Sequence, residues 1–179
     1  VQLEALATFA ARAYRRPLTR AERDSLLVYY QRLRTQGALS HEDAMRDAVA
    51  SILISPVFLY RAHLRDPAKA FPGGVSSRAA IPLSGYELAS RLSYFLWSSM
   101  PDQELLNHAA TGDLSQRDVL TAQARRMLKD PRSRGLATEF AANWLDSRHF
   151  ETYNSVDRAR FPAFTNDLRE AMFEEPVRF

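Results

Sequence analysis

The segment SGYELASRLSYFLW, residues 84–97, decides the fold class of this protein. Its first four residues have the capping-box pattern, in which the Ser84 hydroxyl and the Glu87 carboxylate satisfy free backbone N–H groups where a helix begins. The residues that follow are apolar on nearly every side of a helix, which is typical of a central, buried helix. The segment therefore predicts a core helix of an all-α protein and not an alternating strand.

Helical spacing of apolar side chains dominates the rest of the chain as well. A first helix carries Leu3, Leu6 and Phe9 on one face and is expected to stop before Pro17. We therefore predict an all-α, irregular multi-helix bundle of about eight to ten helices in two packed halves. Further helix starts are predicted at Thr19 with Glu22, Ser40 with Asp43, Ser55–Pro56, Pro101, Ser115 with Asp118, Asp130–Pro131 and Thr165. The side chains of the second helix that are predicted to face inward are Leu26, Leu27, Tyr30 and Leu33.

A segment rich in proline and glycine divides the chain near Pro67, Pro72 and Gly73-Gly74. The charge balance changes at the same place, because residues 1–82 carry twelve basic and seven acidic side chains, whereas residues 83–179 carry twelve basic and fourteen acidic ones. We therefore expect an N-terminal helical domain at residues 1–64, a linker loop at residues 65–82 and a second helical domain at residues 83–179.

The composition is that of a globular protein, with 46% hydrophobic and 25% charged residues. The absence of cysteine excludes disulfides, thiolate zinc sites and a covalently attached c-type haem within these 179 residues. The most apolar run, residues 49–60, is too short for a membrane span and contains Pro56. We therefore expect a globular segment with no membrane span and no cofactor of its own.

The clearest surface signal is a cluster of arginines near the first helix end, with Glu22 the only acidic residue among them. Such a cluster can bind phosphate, sulfate or carboxylate groups. The simpler interpretation is helix-end charge with ion pairs to acidic residues of the second half. Nucleic-acid binding is not expected, because no aromatic platform or reading helix accompanies the cluster. The candidates for an anion site are Arg12, Arg15, Arg16 and Arg20.

Glu87 and Arg91 lie four residues apart on the most apolar predicted helix. A charged pair there can be a catalytic acid with its partner. More often such residues form a buried ion pair that fixes the packing of the helix, and this is the interpretation that we favour.

The remaining polar residues form no recognisable catalytic motif. None of the four histidines pairs with another residue at metal-ligand spacing on one helix face, so no metal site is expected. There is no glycine-rich phosphate loop and no nucleophile elbow. Whether the protein is an enzyme therefore stays open at this point.

Several segments of the chain resemble parts of two consecutive helical domains of unknown function in planctomycete-type secreted proteins. The segment FAARAYRRPLT, residues 9–19, resembles the start of the first domain, and ISPVFLYR, residues 54–61, resembles its end. The segment YELASRLSYFLWSSMPD, residues 86–102, resembles the opening of the second domain, which FAANWL, residues 140–145, and LREAM, residues 168–172, continue.

The resemblance implies a large bacterial protein that is exported to the periplasm or the cell surface, with a cytochrome c-like segment downstream that carries the haem. It also implies that the second domain is truncated here. Because the chain starts at Val1 and ends at Phe179 in an apolar-rich stretch, we expect both ends to be cuts within a longer protein.

The leading hypothesis is a non-catalytic helical module that supports a downstream redox or substrate-binding region of the same protein. One alternative is a part of an extracellular enzyme that acts on polysaccharide or another anionic substrate. Another is an assembly module whose apolar faces dock on other parts of the protein. The sequence does not predict an oligomeric state.

Overall fold

A computed structural model describes residues 2–60, 83–146, 149 and 156–178. The structure is 74% helical, with nine α-helices and no strand within these ranges, so the predicted all-α bundle is confirmed. The chain forms two compact units, residues 1–87 and residues 88–179. The predicted linker at residues 65–82 lies outside the described residues.

The described part of the first unit before residue 61 contains four helices, and a core cluster lies between the first and third of them. Five buried residues form this core: Leu6, Ala10, Ala13, Ala48 and Ile52. The helices are α1 (Gln2–Ala13), α2 (Arg20–Thr35), α3 (His41–Leu53) and α4 (Pro56–Leu59).

The predicted helix starts of the first unit are confirmed. At α2 the Glu22 N–H donates to Thr19 Oγ1 at 3.2 Å, while the Thr19 N–H donates to Glu22 Oε2 at 2.8 Å, which completes a capping box. At α3 the Asp43 N–H donates to Ser40 Oγ at 3.1 Å. Ser55 caps α4, with Pro56 in the first turn.

Helix α1 ends in a Schellman motif that has arginine where glycine is usual. Arg15 adopts the left-handed conformation, with φ of 58°. Its N–H donates to the Arg12 carbonyl at 3.0 Å, and the Arg16 N–H donates to the Ala11 carbonyl at 3.2 Å. Pro17 follows this turn, as the sequence suggested, but the turn itself is fixed by the backbone of Arg15.

Helix α2 is less buried than its pattern predicted. Leu26, Leu27, Tyr30 and Leu33 are all only half-buried, and no residue of the helix is fully buried. These four side chains therefore face the other helices as predicted, but α2 packs on those helices only partly. A concavity remains beside the first half of α2.

Within the described residues, the second unit contains most of α5, together with four later helices and two short 3₁₀ turns. The π-helical segment Leu136–Ala141 continues directly into α8. The helices are α5 (Gly85–Trp97), α6 (Gln103–Thr111), α7 (Arg117–Leu128), α8 (Ala142–Trp144) and α9 (Asn166–Arg178).

Two predicted helix starts in the second unit were wrong. Helix α6 is capped by Asp102, whose Oδ1 accepts from the Leu105 N–H at 3.0 Å, and Pro101 precedes the cap. Helix α7 is preceded by Gln116 instead of Ser115, because residues 113–115 form a 3₁₀ turn after the left-handed Gly112. In that turn the Ser115 hydroxyl donates to the Gly112 carbonyl at 3.0 Å and caps nothing.

Helix α5 is buried on one face only. Its predicted capping box is confirmed, since the Ser84 N–H donates to Glu87 Oε2 at 2.7 Å and the Glu87 N–H donates to Ser84 Oγ at 3.3 Å. Leu96 and Trp97 are buried, but Phe95 is 54% exposed. The expectation of a helix buried on nearly every side was therefore wrong, because part of the apolar surface of α5 is exposed to solvent.

Candidate functional site

The second unit has an open apolar groove of about 530 Å³ with α5 on one side and α7 on the other. Its floor is aliphatic and aromatic, and its charged residues are two arginines. We call it the α5–α7 groove, and its lining residues are Leu88, Arg91, Leu92 and Phe95 of α5 and Leu120, Thr121, Ala124, Arg125 and Leu128 of α7.

The C-terminal ends of the two helices are tied together by Trp97. Its ring is 3% exposed, and its Nε1–H donates to the Met127 carbonyl at 2.9 Å. The Arg132 guanidinium lies 3.5 Å from the centroid of the ring, a distance that allows a cation–π interaction. Because Trp97 ends α5 and Met127 lies near the end of α7, this hydrogen bond joins the two walls of the groove at their C-terminal ends.

A salt-bridge network fixes the same end of the groove. Arg126 of α7 binds both carboxylate oxygens of Asp102, at 2.8 and 3.1 Å, and also pairs with Glu104 at 3.1 Å. Partial burial acts to raise the pKa of Asp102, but the hydrogen bonds from Arg126 and the Leu105 N–H, with the nearby positive charges, outweigh it. The pKa of Asp102 therefore lies below its ordinary value, and the carboxylate stays charged in its capping role.

The two arginines of the α5–α7 groove have no such partners. Arg91 and Arg125 are exposed, and neither makes a hydrogen bond or an ion pair with any residue in the part of the chain that the structure describes. The aromatic surface extends beyond the groove, because the ring of Phe140 packs edge-on against Phe95 with centroids 5.8 Å apart. The groove therefore combines an exposed apolar surface with two unneutralised cations.

This combination suits the binding of another chain. Among the described lining residues there is no carboxylate, histidine or serine, and Thr121 supplies the one hydroxyl. Apolar side chains with aromatic anchors are typical of surfaces that dock another chain. Arginines at such a surface favour partners that carry carboxylates.

The structure separates the four arginines of the predicted anion site. Arg15 is 2% exposed, and its Nη2 donates to the Val57 carbonyl at 2.7 Å. Arg16 holds both carboxylate oxygens of Glu22, at 2.7 and 2.8 Å. Arg12 is exposed, and Arg20 is exposed with a long 3.9 Å contact to Asp24. Two of the four are therefore committed to structure, and anion binding by the cluster stays a prediction.

The ion pairs that Arg16 and the neighbouring Arg23 form within the described residues are local. Arg16 pairs with Glu22 and Arg23 pairs with Glu4 at 2.6 Å, so the expectation of pairing with the second half was wrong for these residues. The hydrogen bonds from Arg16 and Thr19 outweigh the effect of burial and lower the pKa of Glu22 to about 2. Glu22 thus serves the capping box and the ion pair together.

Glu87 and Arg91 do not form the buried pair that their spacing suggested. Glu87 is 6% exposed and acts as the capping carboxylate of α5, whereas Arg91 is exposed in the α5–α7 groove. Four residues on a helix place two side chains on one face. They do not place both in the core, because the Glu87 carboxylate turns back to cap the start of α5 while Arg91 lies in the open groove.

The histidines make local contacts. His41 Nδ1 lies 2.6 Å from the Tyr30 hydroxyl, and His108 Nδ1 lies 3.0 Å from Asp113 Oδ1. No group of three or more potential metal ligands exists among the described residues. His149 is exposed, and His63 lies outside the described residues.

Sequence reasoning missed the groove residues Phe95 and Arg125. A signal for Phe95 was present, because a helix that is apolar on every side must be either fully buried or partly open to a partner. No sequence pattern marked Arg125 in this way, because α7 has the apolar spacing of an ordinary amphipathic helix. Only the placement of α7 beside α5 makes Arg125 part of a site.

Comparisons with known proteins place the chain in a family but assign no activity. No helix in the described part of the chain is long and apolar enough to cross a membrane. Neither the curated proteins nor the solved structures gave a match to this chain. Residues 3–62 match the family described as PSD5, protein of unknown function DUF1595. Residues 83–179, more than half of the chain, match PSD4, protein of unknown function DUF1592, and the chain belongs to that family.

Proposed function

We propose that this protein is a non-catalytic helical docking module, and that its α5–α7 groove binds an amphipathic helix whose apolar face is bordered by acidic residues. The observation that carries the proposal is the pairing of an exposed apolar floor with Arg91 and Arg125, which are both unneutralised.

Contact between the apolar floor of the groove and water costs free energy. Burial of apolar surface is worth about 25 cal/mol per Å², so a helix that covers Phe95 and Leu128 gains free energy in proportion to the area it hides. Both side chains are more than half exposed and therefore available. A complementary charge adds specificity and faster association more than it adds affinity.

The bound helix is proposed to belong to another region of the same protein. On the family resemblance, that protein is exported to the periplasm or the cell surface, and the region supported is a redox, cytochrome c-like segment or a substrate-binding one. The cytochrome c-like segment would then bind the haem, because this chain lacks the cysteines that attach a c-type haem covalently. The enzymatic alternative has no comparable support, because Glu87 is a buried capping residue and Arg91 lies on an apolar surface.

The docking proposal is tested with two labelled model peptides that share one leucine face. One peptide carries glutamate beside the leucines and the other carries lysine, and binding is followed by fluorescence anisotropy. We expect the acidic peptide to bind and the basic one to bind much more weakly. We also expect added salt to weaken the binding, because salt screens exposed charges.

Variants of the groove give the sharper test. Replacing both Arg91→Glu and Arg125→Glu should reverse the preference toward the basic peptide, whereas the matched control Arg117→Glu, an exposed α7 residue outside the groove, should not. Phe95→Asp should abolish binding of both peptides, with an unchanged circular dichroism spectrum as the check on folding. Equal binding of the two peptides, or no effect of the double reversal, would rule the proposal out.

Light scattering separates docking from self-assembly. If a second copy covers the groove, the chain will associate as its concentration rises, and Phe95→Asp will abolish that association. This outcome would favour an assembly module over a docking module.

The proposed support of a redox region is tested on the full-length protein. We expect that protein to show a haem absorption band, and a full-length protein without any cofactor would contradict the support of a redox region.

A further inference from the structure

The first unit contains a concavity of about 440 Å³, separate from the α5–α7 groove. Two of its lining residues are held by arginines, because Glu22 accepts from Arg16 and the Val57 carbonyl accepts from Arg15. The concavity occupies the space that the half-buried α2 leaves open beside the ends of α1 and α3 and the start of α4. We call it the tyrosine–serine pocket, and its lining residues are Ala10, Tyr14, Leu18, Ala21, Glu22, Ser25, Leu26, Tyr29, Ser51, Ile52, Ser55 and Val57.

The polar atoms of the tyrosine–serine pocket are mostly hydroxyls with unused hydrogen-bonding capacity. Tyr14, Tyr29 and Ser25 make no side-chain hydrogen bond within the described residues. Ser51 Oγ donates to the Ala48 carbonyl at 2.7 Å, which leaves its lone pairs free to accept. Ser55 Oγ accepts from the Val57 N–H at 3.3 Å, which leaves its own O–H free to donate.

The charges around the pocket disfavour ionic ligands. Among the described residues, no lysine, arginine or histidine lines it, although the chain has 24 basic residues. The charged residue in the described lining is Glu22, whose two carboxylate oxygens are already held by Arg16. A phosphate, sulfate or carboxylate ligand would therefore meet no cation in the described lining, and the nearby Arg16 is already paired with Glu22.

We infer that the tyrosine–serine pocket binds a neutral polyhydroxyl ligand of the size of a sugar ring. A sugar has an apolar C–H face that can pack on the rings of Tyr14 and Tyr29 and on the aliphatic floor, and its hydroxyls can pair with the free hydroxyls of the wall. The volume lies within the range usual for small-molecule sites, which is about 300–1,000 Å³. The inference does not depend on the docking proposal, because the two sites share no residue.

The ligand class is tested by nuclear magnetic resonance on the complete 179-residue chain. The probes are glucose, N-acetylglucosamine and cellobiose, with glucuronate, phosphate and sulfate as charged counterparts. We expect neutral sugars to shift the amide signals of Tyr14, Ser25 and Tyr29 with a dissociation constant of about 1 mM, equivalent to ~4 kcal/mol. Stronger binding of cellobiose than of glucose would assign the site to a glycan chain, and the reverse would assign it to a free monosaccharide.

Filling the pocket should remove the binding. Ala21→Trp places a large side chain in the pocket from an exposed position of α2, and we expect it to abolish the shifts. Val28→Trp, on the same helix outside the pocket, is the control and should bind as the unaltered chain does. Tyr29→Ala should weaken binding about tenfold, equivalent to ~1.4 kcal/mol, while Tyr29→Phe should lose less because it keeps the ring.

Three outcomes would overturn the inference. They are the absence of any shift with all three neutral sugars, an unchanged shift in Ala21→Trp, or preferential binding of the charged probes. If the charged probes instead shift Arg12 and Arg20, the predicted anion site is supported in place of this one. Thermal unfolding of each variant shows that a loss of binding does not come from a loss of folding.

Discussion

Arg15 reaches across the first unit to Val57, where its Nη2 donates a 2.7 Å hydrogen bond to the backbone carbonyl. The two residues are 42 positions apart in the chain. The contact joins the end of α1 to α4, a helix of four residues that has little stability of its own. Arg15 holds this position although its backbone is left-handed, a conformation that costs a residue other than glycine about 1–2 kcal/mol.

Replacing Arg15→Met should destabilise the protein. The methionine keeps much of the buried volume but leaves the Val57 carbonyl without its charged donor, and a hydrogen bond to a charged group is worth about 1.5–3 kcal/mol. We therefore expect a loss of about 2 kcal/mol in the free energy of unfolding, measured with urea. Arg12→Met, at an exposed position of α1, is the control and should change little. Equal stability of the two variants would contradict the anchoring role.

The stability of the first unit should depend on pH through Glu22. The pKa of Glu22 is lowered to about 2 from an ordinary value of 4.5, chiefly by the hydrogen bonds from Arg16. A carboxylate with a lowered pKa stabilises the folded state fully above its ordinary pKa, and this contribution is lost as the pH falls toward the lowered value. Stability should therefore decline between about pH 4.5 and about pH 2.

Glu22→Gln tests this dependence. The variant should be less stable at neutral pH and should show a shallower decline in that acidic window, measured by urea unfolding at several pH values. The decline will not vanish, because the pKa of Asp102 and that of Asp130 are also lowered. Asp47→Asn, which removes an exposed carboxylate without a described contact, is the control, and an equal change in slope there would contradict the assignment.

The two tryptophans should respond differently to a quencher. Trp97 is buried beneath Arg132, whereas Trp144 is 78% exposed. In Trp144→Phe the remaining emission should be blue-shifted and poorly quenched by acrylamide, and in Trp97→Phe it should be red-shifted and readily quenched. Trp97→Phe should also be less stable by about 1–3 kcal/mol, because the Met127 carbonyl loses its donor inside the protein. Similar quenching of the two variants would contradict the placement of Trp97.

Any side chain at position 135 should lower the stability of the protein. A Cβ atom there would lie 2.6 Å from the Trp97 carbonyl oxygen, which belongs to the backbone and has little room to move. We expect Gly135→Ala to cost about 1–3 kcal/mol through overpacking. Gly112 is the informative comparison, because it has open space but φ of 79°.

Asparagine distinguishes these two causes. It accepts the left-handed conformation better than alanine does, so Gly112→Asn should be milder than Gly112→Ala. Gly135→Asn should be worse than Gly135→Ala, because the obstacle there is space. The melting temperatures of the four variants give the result, and the opposite order at Gly135 would show that the Trp97 backbone can shift.

The sequence by itself determined where most of the helices begin. Thr19 with Glu22 and Ser84 with Glu87 form the predicted capping boxes, because such a box depends only on residues within one turn. The rule was wrong at Ser115, where the preceding Gly112 turns the chain into a 3₁₀ segment and displaces the start of α7. Even this local pattern could therefore be overridden by the neighbouring turn.

Only the tertiary structure decided which helix faces are covered. The apolar repeat of α5 shows which side chains share a face, but the exposure of Phe95 follows from where α7 lies beside it. The same reason explains why Arg15 is in the core while Arg12 is in water, although both belong to one arginine cluster. Periodicity fixes directions around a single helix axis, whereas burial depends on neighbours that are distant in the chain.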